Sequence, residues 1–444
     1  MIKSNTLLLQ NILREWWARP IPRIYPRDLD LRSFVNIENS VSSNQLTLSI
    51  SENVRKVISV IGFRRVGKTY LLLDLAKNIG QENCVYINFE DERIPKNVTV
   101  LTDLLDVLTE ISGNKSYFLL LDEIQNIPNW SVWARRVVET TNHQLIVSGS
   151  SSKLASSELP TELRGRSLSV KVNPLNFSEF AGFKNIDISN LPKPQILNLM
   201  HEFARYGGFP EVVLSDEGKK YLLIDEYFQT FLQRDIVERH RLRKSQSLAL
   251  LINLLLNSKE YGVRKLANTI SSLDSKIGKH TVTKYLTYLH ESFFLKNLYL
   301  HNRSLKNRLQ ALKKAYFVDS SFISRKASSF SDNIGRLMEQ KISEKLFAEI
   351  EKSPAKGLFY WKNRNNLEVD FVIRENEKTI RLIQACYISD LHNLPDREVK
   401  ALKKAAEDLE CENLEIVTWD LEIAISSDKY KIKCIPMWKY LIGY

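Results

Sequence analysis

Residues 62–69 have the types and spacing of a phosphate-binding loop. They read Gly-Phe-Arg-Arg-Val-Gly-Lys-Thr, which is the pattern G-x-x-x-x-G-K-[ST]. Glycines let the backbone approach phosphate oxygens, and free N–H groups at a helix N-terminus point at them. Lys68 is expected to reach the β- and γ-phosphates, and the Thr69 hydroxyl to bind Mg²⁺. We therefore predict that ATP binds to Gly62, Phe63, Arg64, Arg65, Val66, Gly67, Lys68, Thr69 and Tyr70.

Acidic and polar residues end two further apolar runs. Residues 119–121 lead into Asp122 and Glu123. Asp122 is predicted to hold Mg²⁺, and Glu123 to orient the water that attacks the γ-phosphate. Ser148 ends the next run and is the candidate sensor of the γ-phosphate, with Ser150 as a second candidate. For both runs, a plain turn at a strand end is the alternative interpretation.

An arginine is also expected, because negative charge builds up on the phosphoryl oxygens in the transition state. The segment Leu163-Arg164-Gly165-Arg166 offers two. Arg166 is the first candidate and Arg164 the second, acting within the chain or from a neighbouring subunit. An arginine supplied by a neighbour would require a homo-oligomer. A solvated basic turn is the alternative, since surface arginines are common.

These residues need a scaffold in which strands and helices alternate. Residues 56–61 precede the loop as an apolar strand, and residues 70–77 follow it as a helix. Further strands are predicted at 85–89, 116–121 and 144–147, with helices at 100–111 and 130–140. Strands this apolar are buried on both faces, as in a parallel sheet that helices cover. The pattern therefore predicts an α/β core that carries the phosphate-binding loop.

Composition limits the class of protein. With 444 residues the chain is too long for a single core, and about two to four domains are expected. Its first residues lack a signal-peptide pattern, and no apolar run approaches the roughly 20 residues that span a bilayer. The four cysteines are scattered without metal-binding spacing, as in a reducing compartment. We predict a cytoplasmic protein without a membrane partner.

Positive charge is concentrated in one part of the chain. Residues 241–314 hold fifteen Lys/Arg and three Asp/Glu, which is a net charge of +12. The whole chain has a net charge of +11, so the remaining residues are together almost neutral. Helices are predicted at 263–270 and 279–289, and concentrated charge of this kind suggests a surface for a polyanion. A helical module used for protein contacts, or a solvated basic face, is the alternative. The predicted DNA-binding residues are Arg264, Lys265, Lys276, Lys279, His280, Thr283 and Lys284.

Together with the motifs above, three further segments carry a resemblance. They are residues 174–180 (PLNFSEF), 206–211 (YGGFPE) and 234–236 (RDI). With them the chain resembles, over nearly its whole length, the archaeal and bacterial AAA+ ATPases that have a C-terminal domain of uncharacterised role. The resemblance implies an AAA+ core, a winged helix and a C-terminal α/β domain that is restriction-endonuclease-like.

The nuclease-like domain that the resemblance implies would need a metal site. Glu368 and Asp370 alternate along a predicted strand and so share a face, and Glu339 is expected nearby. Gln384 and Cys386 stand where an acidic residue and a lysine are expected. Gln384 is a poorer Mg²⁺ ligand than a carboxylate. We predict a degenerate nuclease site at Glu339, Glu368, Asp370 and Gln384. Lys362, on another strand, is the candidate to replace the lysine that Cys386 does not supply.

The predicted fold class is α/β, with a P-loop AAA+ parallel-sheet core, a helical region, a winged helix and a restriction-endonuclease-like domain. The predicted boundaries are 1–50 for an N-terminal helix and connector, 51–172 for the core, 173–242 for the helical region, 243–314 for the winged helix and 315–444 for the last domain. The predicted function is Mg²⁺-dependent ATP binding and hydrolysis coupled to DNA engagement. A nucleotide switch that recruits a protein partner, and a nuclease gated by ATP, are the alternatives.

Overall fold

The computed structural model describes residues 4–35, 38–42, 45–49, 56–150, 163, 165–242, 245–273, 277–327, 334–427 and 429–443. The chain divides into two compact units, an N-terminal unit of residues 1–173 and a C-terminal unit of residues 174–444. Within the described ranges, no helix combines the length and apolar character that crossing a membrane requires.

The N-terminal unit begins with a helix and then alternates strands with helices. Helix α1 spans Ser4–Ala18, a 3₁₀ turn spans Leu31–Phe34, and a hairpin joins β1 (Glu38–Ser42) to β2 (Gln45–Ser49). The elements that follow are β3 (Val57–Ile61), α2 (Lys68–Ile79), β4 (Cys84–Asn88), α3 (Thr99–Ser112), β5 (Phe118–Asp122), α4 (Trp130–Thr140), β6 (Gln144–Gly149) and β7 (Ser167–Lys171).

In the described part of this unit, five strands form one sheet in the order β4-β5-β6-β3-β7, and every neighbouring pair is parallel. β3, β5 and β6 are buried along their whole length, as expected for strands that helices cover on both faces. The carboxyl ends of parallel strands meet at one edge of a sheet. This edge therefore receives the loop after β3 and the polar ends of β5 and β6, and the predicted α/β core is confirmed.

Helix α1 is fastened to the edge strand β4. The indole Nε1 atoms of Trp16 and Trp17 both donate to the carbonyl oxygen of Cys84, at 2.9 and 3.1 Å. The Trp16 ring also packs against Tyr86, with 5.2 Å between the ring centroids. The helix is thus tied to the end strand of the sheet by two hydrogen bonds and a ring contact.

The C-terminal unit is helical at first. Its helices are α5 (Phe177–Phe183), α6 (Lys193–Tyr206), α7 (Pro210–Leu214) and α8 (Glu217–Thr230), and a π-helical segment follows at Phe231–Glu238. Next come α9 (Ser245–Leu256), β8 (Glu260–Tyr261), α10 (Val263–Leu273), α11 (Lys279–Glu291), β9 (Leu295–Leu300), α12 (Leu305–Gln310), β10 (Lys313–Phe317) and α13 (Ser320–Lys326).

A second α/β stretch completes this unit. Its elements are α14 (Ile334–Glu351), β11 (Lys356–Lys362), β12 (Glu368–Glu375), β13 (Lys378–Cys386), α15 (Asp396–Leu409), β14 (Leu414–Thr418), β15 (Ile423–Ser427), β16 (Tyr430–Pro436) and α16 (Met437–Ile442). In the described residues, a mixed sheet of nine strands runs in the order β15-β16-β14-β13-β12-β11-β9-β10-β8. The boundary predicted between residues 314 and 315 falls within β10, and the division of this unit into domains stays a prediction.

Two of the segments that carry the resemblance pack against each other. The backbone N–H of Gly208 donates to Asp319 Oδ2 at 2.8 Å, and its carbonyl accepts from Leu175 N at 2.8 Å. Gly207 has a φ of 76°, and a Cβ there would lie 1.7 Å from Asp319 Oδ1. No side chain fits at Gly207, because both the left-handed backbone and the carboxylate exclude it. The glycine pair therefore has a structural role in holding residues 174–180 in place.

Candidate functional site

The loop between β3 and α2 has the backbone of a phosphate-binding loop. Gly67, directly before α2, has a φ of 100° and a ψ of 22°, and Arg65 has a φ of 67°. A Cβ at Gly62 would lie 2.3 Å from the carbonyl oxygen of Val172, so this position excludes any side chain. These constraints turn the chain sharply out of β3 and into the first turn of the helix, whose free N–H groups can receive an anion.

Lys68 lies inside this loop. Its Nζ donates to the carbonyl oxygens of Gly62 and Phe63, both at 3.2 Å, and lies 3.7 Å from Glu123 Oε1. The side chain is only 5% exposed. A buried ammonium must be compensated, and here loop carbonyls and one carboxylate do so. The cation is therefore positioned beside the turn into which phosphates would fit.

Asp122, at the end of β5, accepts three side-chain hydrogen bonds. Thr69 Oγ1 donates to Oδ2 at 2.6 Å, Tyr86 OH donates to the same oxygen at 3.0 Å, and Ser148 Oγ donates to Oδ1. Burial and the neighbouring Glu123 raise the pKa of Asp122, while the hydroxyls of Ser148 and Thr69 act to lower it. The structure thus brings together Thr69, Asp122 and Ser148, as their positions in sequence predicted.

Glu123 is held in an unusual conformation next to Asp122. Its φ is 53°, a region that residues other than glycine rarely adopt. Its backbone N–H donates to Ser148 Oγ at 3.1 Å, and its Oε2 accepts from the Gln125 side chain. Ser148 therefore connects Asp122 with Glu123. The other candidate at this strand end, Ser150, is buried at 3% exposure.

Arg166 lies far from the loop within this chain. Its carbonyl oxygen accepts from Val57 N at 2.9 Å, at the residue that begins β3. The loop follows the other end of β3, five residues away, which is about 16 Å at ~3.3 Å per residue. The Arg166 side chain instead pairs with Glu139. The other arginine candidate, Arg164, lies outside the described residues.

The remaining loop residues divide between core and surface. Phe63 and Val66 are buried at 2% and 0% exposure, while Tyr70 is 52% exposed. Arg64 pairs with Glu90 at 3.2 Å. A residue that the sequence did not indicate, Arg27, donates to the carbonyl oxygen of Val66 at 3.1 Å and to that of Asn173 at 3.0 Å. Arg27, which lies outside the motif, thereby links the loop by hydrogen bonds to the residue at the end of the N-terminal unit.

Tyr86 is a second residue that sequence reasoning missed. It lies in β4, pairs with Leu120 of β5, and places its hydroxyl on the Asp122 carboxylate. The available signal was a hydroxyl-bearing aromatic residue in an otherwise apolar strand next to the strand that ends in Asp122. Because Tyr86 also contacts Trp16, helix α1 is linked through one side chain to the acidic edge of the sheet.

The C-terminal unit contains a separate buried cluster of charges. It brings together Glu339 on α14 and Glu368 and Asp370 on β12, as predicted. The backbone N–H of Asp370 donates to Gln384 Oε1 at 3.2 Å, and Gln384 Nε2 donates to Glu398. The four residues of the predicted degenerate nuclease site are therefore neighbours.

Lys314 occupies the centre of this cluster and was not indicated by the sequence. Its Nζ lies 2.8 Å from Glu368 Oε1, 2.8 Å from Asp370 Oδ1 and 3.3 Å from Glu339 Oε1. The side chain is 3% exposed. Lys362, the weak substitute considered above, instead lies at the cluster's rim, 2.9 Å from Glu368 Oε2 and 3.1 Å from Glu260 Oε1.

The pKa values in this cluster follow from burial and from the central cation. Burial acts to lower the pKa of Lys314, but Asp370 and Glu339 outweigh it and raise that pKa well above its usual value. Burial raises the pKa of Asp370 to about 6, against the effect of Lys314. For Glu368 burial also acts upward, yet Lys314 and Lys362 lower its pKa to about 2.

The predicted DNA-binding residues lie on α10 and α11. Arg264 and Lys265 lie in the first turn of α10 and are exposed. On α11 the apolar residues Val282, Leu286 and Leu289 are buried. Four exposed residues of α11 are spaced i, i+1, i+4 and i+5 and so form one stripe; they are Lys279, His280, Thr283 and Lys284. Lys276 lies outside the described residues.

Comparison with known proteins finds family models that match three segments of the chain. Residues 54–181 match a family model described as an AAA domain. Residues 197–333 and 334–440 match models described as domains of unknown function, DUF8612 and DUF4143, so the nuclease-like character of the last segment stays a prediction. Among solved structures, the Walker-type ATPase of Pyrococcus abyssi aligns with 62% of this chain and 91% of its own, at 13% identity and a TM-score of 0.44.

Two relatives are themselves uncharacterized. A Haemophilus influenzae protein is 28% identical over 339 residues, covering 73% of this chain and 80% of its own length. The Methanocaldococcus jannaschii protein MJ1544 is 36% identical over 423 residues, covering 91% of this chain and 92% of its own. The chain therefore belongs to the family of MJ1544 and carries an AAA domain at residues 54–181.

Proposed function

We propose that this protein is a Mg²⁺-dependent ATPase whose nucleotide state alters how its basic module, residues 241–314, engages DNA. One observation supports the ATPase part of this proposal. Lys68, Thr69, Asp122 and Glu123 meet at the carboxyl edge of one parallel sheet, and Ser148 hydrogen-bonds both acidic residues. These are the groups that phosphoryl transfer needs, namely a cation for the phosphates, oxygen ligands for Mg²⁺ and a carboxylate for water.

Each of these residues has a proposed task. The backbone N–H groups of residues 62–69 bind phosphate oxygens, and Lys68 exchanges its two carbonyl partners for the β- and γ-phosphates. Thr69 Oγ1 and Asp122, already 2.6 Å apart, hold Mg²⁺, which neutralises charge on the phosphates when bound. Glu123 orients and deprotonates the attacking water, and Ser148 senses the γ-phosphate.

The proposed task of Glu123 requires a change at the site. In this structure Lys68 lies 3.7 Å from Glu123 Oε1 and Gln125 donates to Oε2. When Lys68 turns toward phosphate, one of the two groups that hold the carboxylate leaves it. Glu123 is then free to accept a proton from water. The arginine expected for the transition state is proposed to come from a neighbouring subunit, because Arg166 lies at the opposite edge of its own sheet.

The DNA half of the proposal is supported by the basic region. Helices α9, α10 and α11 are followed by the antiparallel pair β9 and β10, and β8 joins this pair on the far side of β10. That order of elements supports the predicted winged helix, with α11 as the helix that would enter a groove. Its exposed stripe, Lys279 to Lys284, would bind phosphates, with an affinity that falls as salt rises.

ATP hydrolysis by the purified protein tests the first half. Lys68→Ala and Glu123→Gln are expected to reduce kcat by at least about 100-fold, since each removes a group used in the transition state. Lys77→Ala, an exposed lysine on the same helix, is the matched control and should leave the rate unchanged. If the wild-type rate does not exceed that of Lys68→Ala, the protein does not use this site for hydrolysis.

Binding to a fluorescent DNA duplex tests the second half. Lys279→Ala/Lys284→Ala is expected to weaken binding and to flatten its salt dependence by about two units of slope, because about one counterion is released per phosphate contact. The matched control, Lys219→Ala/Lys378→Ala, removes two exposed lysines elsewhere in the unit and should bind like the wild type. An affinity for DNA that changes neither with salt concentration nor in the α11 variant would refute the DNA role. The assay is run with and without ATP.

The two alternative functions make different predictions in the same assays. Tight nucleotide binding with negligible turnover and no DNA affinity would favour a switch that recruits a protein partner. Metal-dependent DNA cleavage that Asp370→Ala abolishes would favour the ATP-gated nuclease. Mass measurement with and without ATP tests the homo-oligomer that a trans arginine requires.

A further inference from the structure

The carboxylate cluster in the C-terminal unit already contains a cation. An ammonium group has three N–H donors, and Lys314 Nζ has three carboxylate partners within 3.3 Å, on Glu339, Glu368 and Asp370. The carboxylates are held from two secondary-structure elements, α14 and β12, and the lysine reaches them from a third, β10. The ammonium donates hydrogen bonds to Glu339 and Asp370 and forms an ion pair with Glu368.

The other contacts of these carboxylates come from protein donors as well. Tyr316 OH donates to Glu339 Oε1 at 2.6 Å, and Ala385 N donates to Asp370 Oδ2 at 3.0 Å. Lys362 Nζ contacts the second oxygen of Glu368. Buried charges are retained when they are paired and hydrogen-bonded, and here the donors are the protein's own side chains and backbone.

A divalent metal does not fit this arrangement. Mg²⁺ and Ca²⁺ take oxygen ligands at about 2.0–2.6 Å, whereas these oxygens surround a nitrogen at 2.8–3.3 Å. The same space would have to hold the metal and the Lys314 ammonium together. In the part of the chain that the structure describes, no group of three or more His, Cys, Asp or Glu side chains is arranged to hold a metal ion.

We propose that Lys314 supplies the cation of this cluster in place of a divalent metal. The wild-type chain then takes up no divalent ion at Glu339, Glu368 and Asp370, and it does not use them to cut nucleic acid. This inference is independent of ATP hydrolysis, because all of its residues lie in the C-terminal unit.

The cluster also fastens the basic module to the rest of its sheet. Glu368 contacts Lys362, and Lys362 contacts Glu260 at 3.1 Å. Glu260 lies in β8, three residues before α10 begins. Ion pairs thus connect Asp370 to Lys314, Lys314 to Glu368 and Glu368 to Lys362. Lys362 pairs in turn with Glu260 in β8, the strand before α10.

Mn²⁺ binding by the nucleotide-free full-length protein tests the proposal directly. The number of ions bound per chain, read from the electron paramagnetic resonance signal of free Mn²⁺, is expected to be equal in the wild type and in Asp370→Asn. Any Mn²⁺ held at Asp122 contributes equally to both. One ion fewer in Asp370→Asn would show that the wild-type cluster binds metal and would overturn the proposal.

Thermal unfolding provides the second test. Lys314→Met keeps the length of the side chain and removes its charge. Asp370 and Glu339 then lose their cation and Glu368 keeps only Lys362, so Tm is expected to fall by roughly 5–15 °C. Lys313→Met is the matched control, since the neighbouring lysine lies over the Tyr299 ring, and its Tm should stay near the wild-type value. A Lys314→Met protein as stable as Lys313→Met would also overturn the proposal. If Lys314→Met fails to fold, the Mn²⁺ comparison still decides.

Discussion

Replacing Ser148 by alanine should impair both the stability and the activity of the N-terminal unit. The Ser148 hydroxyl is 0% exposed; it donates to Asp122 and accepts from the N–H of Glu123. A hydrogen bond to a charged group contributes about 1.5–3 kcal/mol, and a buried N–H left without an acceptor costs about 1–3 kcal/mol. We expect Ser148→Ala to lose about 2–4 kcal/mol of unfolding free energy, because the two effects overlap in one site.

The effect on hydrolysis follows from the same two contacts. Ser148 holds the Asp122 carboxylate and the backbone N–H of Glu123, and about 1.4–2.8 kcal/mol lost in the transition state would lower kcat by about 10–100-fold. The hydroxyl also acts to lower the pKa of Asp122. Its removal should raise that pKa further, so the acidic limb of the pH–rate profile should move to higher pH.

Ser59 provides the matched control for this experiment. It is 0% exposed in β3, the neighbouring strand, and its hydroxyl has no hydrogen-bond partner among the residues described. Ser59→Ala should therefore change neither stability nor rate by more than a small amount. Urea denaturation and steady-state ATP hydrolysis are measured for both variants. If Ser148→Ala matches Ser59→Ala in both assays, the hydroxyl does not organise the acidic residues, and the reasoning fails.

Three further variants test other parts of the structure. Gly62→Ala would place a Cβ 2.3 Å from the carbonyl oxygen of Val172; we expect nucleotide affinity, measured by fluorescent ATP titration, to fall by at least about tenfold, and near-normal affinity would contradict the clash. Tyr86→Phe removes one neutral donor to Asp122, so kcat should fall by about 3–10-fold; an unchanged rate would separate Tyr86 from the site. The folded-state pKa of Glu368 is lowered to about 2, so its carboxylate stabilises the fold above its unfolded pKa of ~4.3, and this contribution is lost as pH falls toward 2. Glu368→Gln should flatten the loss of Tm between pH 5 and about 2, and an unaltered acid profile would count against the ion pair.

The local motifs were predictable because their physics is local. Consecutive residues determine the loop from Gly62 to Thr69, since the backbone turn, the glycines and the helix N-terminus all belong to one short segment. Runs of apolar residues likewise predicted the buried parallel strands of the N-terminal unit. Because parallel strands end at a common edge, the meeting of Thr69, Asp122 and Ser148 followed from the order of elements.

Contacts between distant segments depended on the tertiary structure. Tyr86 and Asp122 are 36 residues apart, and Lys314 and Asp370 are 56 apart. No pattern in either segment specifies its partner, because the sheet order and register decide which side chains meet. Lys314 belongs to a run of basic residues that, read as composition, suggested a surface for DNA. In the structure Lys314 is buried among three carboxylates, so its charge is paired inside the protein and is not available on a surface for DNA.

The position of Arg166 shows the limit of sequence proximity. It was a candidate because phosphoryl transfer calls for an arginine and because it follows the Ser148 segment in the chain. The strand that it precedes, β7, runs parallel to β3, so Arg166 lies where β3 begins and the loop lies where β3 ends. Sequence alone therefore determined which chemical groups this protein has and which short segments shape them. Only the tertiary structure decided which of those groups share a site, because strand direction and side-chain burial are properties of the packed sheet.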